Sequence, residues 1–300
     1  MILSEGNRYL TLCHRPGGKQ LTKNMEEIEF WKMSGSGNDF IIIDNRNGLI
    51  KDEGVGNFVK RACRRRESVG ADGIIFVSRS EHCDFRWRYF NADGGEVEMC
   101  GNGARCVSRF AFLKGIAGKE MISETLAGPI KAEIKGRNVK ILMPPAKGFS
   151  RDIKISHRQG WQTVDFINTG VPHVVVQVEE LSDHPVNEYG SYIRHHGLFS
   201  PEGTNANFMK VIGPDHIEIR TYERGVEDET LACGTGSIAC ALVSSLRGMV
   251  NSPVTVKARS GEILTIYFKK NRESGEGFEE VWLEGNTALV YRAQLNREAL

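Results

Sequence analysis

The chain has 300 residues, 40% hydrophobic and 26% charged, with a formal net charge of +1. That composition suits a globular protein long enough for two domains, each with its own core. It excludes a broadly basic surface for nucleic acid, and no apolar run approaches the roughly eighteen residues of a membrane span.

The cysteines are seven, at positions 13, 63, 83, 100, 106, 233 and 240. The odd count, with no apolar signal segment, argues against a secreted disulfide framework and for a reducing cytoplasm. Residues 1–25, with Arg15-Pro16-Gly17-Gly18-Lys19, show no periodicity. They are expected to be a disordered tail or upstream sequence, with Met25 the more natural start.

In chain order, short β-rich runs bounded by Gly and Pro are expected as strands at Ile28–Met33, Phe40–Asp44, Gly73–Val77, Phe85–Asn91, Ile130–Ile134 and Val139–Met143. A helix is expected over Gly54–Arg65, with Val55, Phe58, Val59 and Ala62 on one face and Arg61, Arg64, Arg65 and Arg66 as a solvated basic end. The paired prolines of Met143-Pro144-Pro145-Ala146-Lys147-Gly148 mark a boundary, since they can continue neither a helix nor a central strand. Beyond it come strands at Thr163–Asn168 and His173–Val178, a polar helix near Val186–His195, and strands at Asn207–Ile212 and Ile217–Tyr222. The run Ser237–Arg247 is nearly all small or apolar, which predicts a buried helix. Strands at Val254–Ala258, Ile263–Phe268, Glu280–Leu283 and Ala288–Arg292 end the chain, the last returning to the first half.

One phrase occurs twice. Met99-Cys100-Gly101-Asn102-Gly103-Ala104 and Ala232-Cys233-Gly234-Thr235-Gly236-Ser237 each open a helical run that a glycine ends fifteen residues after the cysteine, at Gly115 and Gly248. Each copy follows an acidic loop. The order predicts an α/β (α+β) protein of two similar, pseudo-twofold-related domains, each wrapping strands around a central helix. Their extents are expected to be 26–143, joined by 286–300, and 144–285. The two helix N-termini would then face one substrate in the cleft.

A helix start offers unpaired N–H groups and partial positive charge, suited to a carboxylate. Flanking glycines allow close backbone approach. The same field favours thiolate: up to ~2 kcal/mol, at about 1.36 kcal/mol per unit, would bring a thiol from about 8.5 towards about 7. A thiolate and a thiol on opposite faces of one carbon are what stereoinversion needs. The N–H groups would stabilise charge building on the carboxylate. Zinc-type spacing is absent, so no metal is expected. Cys106, Cys240, Cys13, Cys63 and Cys83 read as packed small hydrophobes. No phosphate-loop or dinucleotide motif is present.

The residues resemble the diaminopimelate epimerase family. The likeness runs from about Phe30 to the C-terminus. It rests on Lys32-Met33-Ser34-Gly35-Ser36-Gly37-Asn38-Asp39-Phe40, Val69-Gly70-Ala71-Asp72-Gly73, Phe90-Asn91-Ala92-Asp93-Gly94, the first cysteine phrase through Arg105-Cys106, Gly170-Val171-Pro172-His173, Thr204-Asn205-Ala206-Asn207-Phe208, and Tyr222-Glu223-Arg224-Gly225 leading to the second phrase. The resemblance implies epimerisation at an amino-acid α-carbon without pyridoxal phosphate or another cofactor, in lysine and peptidoglycan-precursor synthesis. It implies Cys100 and Cys233 as the acid/base pair, and Gly101, Asn102, Gly234 and Thr235 as N–H donors to the substrate carboxylate. Asn38, Asn91, Asn205, Glu223 and Arg224 would hold the amino and carboxylate groups of a two-headed amino acid. His173 would orient or tune a cysteine, or serve only the core.

Two departures stand out: Val171, where many relatives carry Asn, and a loop at Val226–Leu231 one residue longer than in some. The expected partner is a small amino acid, with a second copy as a further candidate and no nucleic acid or membrane. Competing readings are a two-cysteine racemase of the proline or hydroxyproline type, and a non-catalytic anion-binding or dithiol redox protein.

Overall fold

The computed structural model describes residues 28–157, 160–271 and 277–300. The expected tail at 1–25, with Cys13, lies outside the described residues.

The first half begins with β1 (Ile28–Gly35) antiparallel to β2 (Asn38–Asp44), then α1 (Val55–Ala62) and β3 (Gly73–Ser78), parallel to β2. β4 (Phe85–Asn91) lies antiparallel to β3 and carries the short β5 (Glu96–Val97). After α2 (Gly101–Leu113), β6 (Glu120–Thr125) is parallel to β4 and continues antiparallel into β7 (Gly128–Lys135) and β8 (Asn138–Leu142).

The second half repeats this pattern. β9 (Lys147–His157) and β10 (Gly160–Asn168) are antiparallel, as are β10 and β11 (Pro172–Gln177); α3 (Val186–Arg194) then leads to β12 (Asn205–Gly213), parallel to β11. β13 (His216–Glu223) carries β14 (Asp228–Thr230), α4 (Gly234–Leu246) follows, and β15 (Val254–Lys257) is parallel to β13. β16 (Ile263–Lys270) and β17 (Phe278–Asn286) complete the run. β18 (Ala288–Leu295) then crosses back to lie antiparallel on β1, as β9 lies on β10. β8 and β17 pair with each other, with Ile141 opposite Leu283. The fold is thus two similar halves of mixed sheet, with four α-helices among the described residues.

Burial explains the wrapping. Along β2, Phe40 and Ile42 join the core around α2, while Ile41 and Ile43 face the core under α1. A strand buried on both faces needs an unbroken apolar run, which Phe40-Ile41-Ile42-Ile43 supplies. In the second half Val175 faces the α4 side while Val174 and Val176 face α3. Helix α4 is buried from Gly236 to Ser245, as its lack of a polar face predicts. Both central helices stop before a left-handed glycine, Gly115 (φ 71°) and Gly248 (φ 74°). No helix among the described residues is long and apolar enough to cross a membrane.

Several local expectations are corrected. The first helix ends at Ala62, not Arg65, because the chain turns back there: Gly70 N–H donates to Ala62 O, and Arg66 adopts φ 75°. Arg65 is exposed as expected, but it lies beyond the helix and binds both Asp39 and Asp72. β6 escaped the apolar pattern because its buried positions include Ser123 and Thr125, the former accepting from Trp87 Nε1 at 3.0 Å. β9 escaped it because its outer positions are polar. The two acidic loops contain the short strands β5 and β14. Cys106, Cys240 and Cys63 are buried, but Cys83 is only half-buried.

Candidate active site

Cys100 and Cys233 are the N-caps of α2 and α4. Their backbones match, at φ −134°, ψ 120° and φ −126°, ψ 113°. Each Sγ accepts from the N–H three residues on: Gly103 at 3.5 Å and Gly236 at 3.4 Å. The sulfurs thus occupy the place a Ser or Asp oxygen takes in an ordinary cap. Both thiols are free.

The two helix starts converge on one side chain. A Cβ built on Gly101 would lie 3.8 Å from Leu283 Cδ2, and one on Gly234 3.1 Å from the same atom. The Gly234 position is also 3.8 Å from Asn102 Oδ1. A Cβ at Gly234 would therefore press on the strand that joins the halves and come into ordinary contact with the opposite helix.

Around the first cysteine a chain of polar groups sets Asn38 and Asn102. Asn102 Nδ2 donates to Asn38 Oδ1 at 2.8 Å, and Asn38 Nδ2 donates to Asp72 Oδ2 at 3.0 Å. Arg105 Nη2 donates to Asn102 Oδ1 at 2.8 Å and also to Ser36 Oγ. Ser36 in turn donates to Glu262 Oε1 at 2.9 Å, so the chain of bonds crosses from one half to the other.

Around the second cysteine, Thr235 Oγ1 lies 3.5 Å from Cys233 Sγ, and Thr235 O accepts from Thr169 Oγ1 at 3.0 Å. Asn205 is buried; its Nδ2 donates to Pro172 O and its Oδ1 accepts from Arg224 N–H, both at 2.9 Å. It is a strut that fixes the strand ends carrying His173 and Arg224. Arg224 Nη1 donates to Glu202 O at 3.0 Å. His173 is fully buried beside Asn207. Asn91 ends β4, with its main chain closing a turn to Gly95 and its side chain exposed.

The electrostatics correct the expected thiol values. Burial pushes Cys233 up to about 12, helped by the Glu223 carboxyl and opposed by Thr235 and the Gly236 N–H. Burial also raises Cys100, against the N–H groups of Gly103 and Asn102 and the charge of Arg105. Desolvation outweighs the helix N-terminus, the reverse of the expected fall towards 7. Glu223 acts on both sulfurs, and its own carboxyl is raised by burial.

Arg105, Ser36, Asp72, Thr169 and Leu283 went unrecognised in the sequence. Aligning the two cysteine phrases would have found one of them: five residues on, Arg105 stands where the second copy has Ile238. In a depression of about 660 Å³ elsewhere, Arg88 pairs with Asp52 and Glu96, and Arg46 with Asp44.

Solved structures share this fold. A PhzF-family phenazine biosynthesis protein of Bacillus anthracis superposes with a TM-score of 0.66 at 19% identity, over 91% of this chain and all of its own. A hydroxyproline epimerase of Agrobacterium vitis, with bound trans-4-hydroxy-L-proline, gives 0.64 at 16%, over 91% and 94%. At such identities the likeness concerns the fold.

Sequence comparison goes further. The diaminopimelate epimerase family model matches residues 30–147 and 166–280. The diaminopimelate epimerase of Aquifex aeolicus is 47% identical over 286 residues, 91% of this chain and 99% of its own. That of Archaeoglobus fulgidus is 45% identical over 247 residues, 78% and 87%. The chain belongs to the diaminopimelate epimerase family, and is an isomerase of that kind.

Proposed function

We propose that the protein interconverts LL- and meso-diaminopimelate by a two-base mechanism, with Cys100 and Cys233 on opposite faces of the α-carbon. The observation that carries this reading is the convergence of two matched cysteine caps on Leu283, with Glu223 acting on both sulfurs. One sulfur, as thiolate, takes the α-proton; the other, as thiol, returns a proton to the opposite face. The first N–H groups of both helices, at Gly101, Asn102, Gly234 and Thr235, stabilise the charge that builds on the carboxylate. Asn38, Asn91, Asn205, Glu223 and Arg224 hold the remaining polar groups, and His173 orients the second half-site. Since burial favours the thiol forms, the returning acid is readily supplied, and the base needs positive charge beside it.

The division into 26–143 with 286–300, and 144–285, is supported by the crossings from β8 to β9 and from β17 to β18. The partner reading is a second copy of this chain. β18 pairs only with β1 among the described residues, and exposes Val290 (56%) and Tyr291 (42%) along that edge. The pathway implied is lysine and peptidoglycan-precursor synthesis in the cytoplasm.

The deciding experiment is α-proton exchange in deuterated water with LL- and meso-diaminopimelate. Wild type should exchange both, and Cys100→Ser and Cys233→Ser should each slow turnover by about 10²-fold or more. Full turnover by Cys100→Ser would sink the two-base mechanism. Faster exchange of L-proline would favour the proline-type alternative.

A further inference from the structure

The duplication is broken at one buried side chain. Arg105 has 0% exposure, and its counterpart in the second helix is the apolar Ile238. An arginine keeps its proton at any ordinary pH, so a fixed positive charge lies inside the first half-site. Among the described residues its partners are the neutral groups Asn102 Oδ1, Ser36 Oγ and Gly101 O, and its Nε has none.

Both hydrogens of Arg105 Nη2 begin a relay, and each relay ends on a carboxylate. One runs to Asn102 Oδ1, from Asn102 Nδ2 to Asn38 Oδ1, and from Asn38 Nδ2 to Asp72. The other runs to Ser36 Oγ, which passes its own hydrogen to Glu262 Oε1 at 2.9 Å. A guanidinium can only donate and a carboxylate can only accept. The charged ends therefore set the direction of every bond between them, and neither amide nor the hydroxyl can be reversed.

The second relay leaves its own half. Ser36 and Gly37 form the two-residue tip of the β1–β2 hairpin, both left-handed at φ 53° and 84°, and Asn38 follows at once. That tip meets the second half at two points. Besides the bond to Glu262, a Cβ on Gly37 would lie 3.4 Å from Leu231 Cβ, two residues before Cys233. The turn that carries Glu262 is tied to the same residue, since Ser260 N–H donates to Leu231 O at 3.0 Å. The equivalent loop, between β10 and β11, stays within its half: Thr169 donates to Thr235 O.

We propose that Arg105 is the positioning residue for Asn38 and Asn102, and that Ser36 and Glu262 strap it to the opposite half, so that the amides of the Cys100 half-site are set only when the two halves are docked. This rests on the epimerase reading given above, in which both asparagines contact the substrate. The Cys233 half-site has no such strap. One half-site is set from within, and the other depends on its neighbour.

The test cuts the strap at its outer end, in the full chain, with Ser36→Ala, Glu262→Ala and the double variant. Turnover of diaminopimelate should show KM raised by about tenfold, as for one lost hydrogen bond to a charged group. Because holding groups act on bound substrate and transition state alike, kcat should stay within about twofold of wild type. The double variant should be no worse than the poorer single one, since both cut the same connection. Arg105→Met should raise KM at least as much; if it does not fold, the strap variants carry the test. A fall in kcat at unchanged KM, or single effects that simply multiply in the double variant, overturns the proposal. Amide hydrogen exchange gives a second readout that needs no activity. In Glu262→Ala the hairpin segment 33–40 should exchange faster, while the equivalent segment 166–173 keeps its wild-type rate. Unchanged exchange at 33–40 overturns the strap. A wild type that leaves diaminopimelate untouched would end the epimerase reading, and the exchange result would still judge the strap alone.

Discussion

Asn207 Nδ2 donates to Nδ1 of His173 at 3.1 Å, and this fixes the imidazole as the Nε2–H tautomer. The amide cannot be reversed: Thr221 Oγ1 donates to Asn207 Oδ1 at 3.0 Å, and Asn207 Nδ2 also donates to Val174 O at 2.8 Å. Nδ1 therefore presents a lone pair, and the buried Nε2–H has no acceptor among the described residues.

Burial, helped by the Arg224 charge, holds His173 at about 3. Between about 6.5 and about 3 the unfolded chain therefore binds a proton that the folded chain does not. Stability falls as pH drops through that window, by about 1.4 kcal/mol per unit for one proton. Urea unfolding of His173→Gln between about pH 6 and about pH 4 should show a shallower loss than wild type. Parallel slopes would mean the ring is charged in the fold.

Asp39 gives an acid limb of its own. Burial works against its carboxylate, but Arg65 and Lys32 outweigh that and bring it down to about 2. Its contribution is present above the ordinary carboxylate range and lost as pH falls towards 2. Asp39→Asn should lower stability near neutrality by on the order of 2 kcal/mol, and the gap to wild type should close in acid. A constant gap across pH would point to packing instead.

Two matched glycines should respond unequally to the same change. A Cβ on Gly236 would lie 2.3 Å from Asn207 Oδ1, an atom locked by Thr221; one on Gly103 would lie 3.3 Å from the terminal methyl of Ile75. Gly236→Ala should cost about 1–3 kcal/mol and displace the His173 partner, whereas Gly103→Ala should be mild. Thermal melts of the two variants decide it.

The β18 edge should govern self-association. A lysine is one of the residues that blunt an open strand edge. Tyr291→Lys should shift sedimenting species from dimer to monomer, and a wild type that sediments as a monomer would remove the reading.

Much of this was legible in the sequence because it is local. The fifteen-residue spacing from Cys100 to Gly115 and from Cys233 to Gly248 reflects a cap and a left-handed terminator around a thirteen-residue helix. What escaped is long-range. Ser36 meets Glu262 across 226 positions and Arg105 across 69, and no pattern within one segment announces either. The thiol values failed for a related reason: the helix field follows from the motif, but desolvation depends on everything folded over it.

The crossings have a consequence for where the chain could begin. Ile28 and Leu295 are paired neighbours, and β8 and β9 are joined only by the four residues 143–146. A circular permutant opened in that linker, with Leu295 tied back to Ile28, would run β9 to β17 and then β18, β1 to β8. Each nine-strand unit would then be written without interruption, and such a chain is expected to reach the same fold.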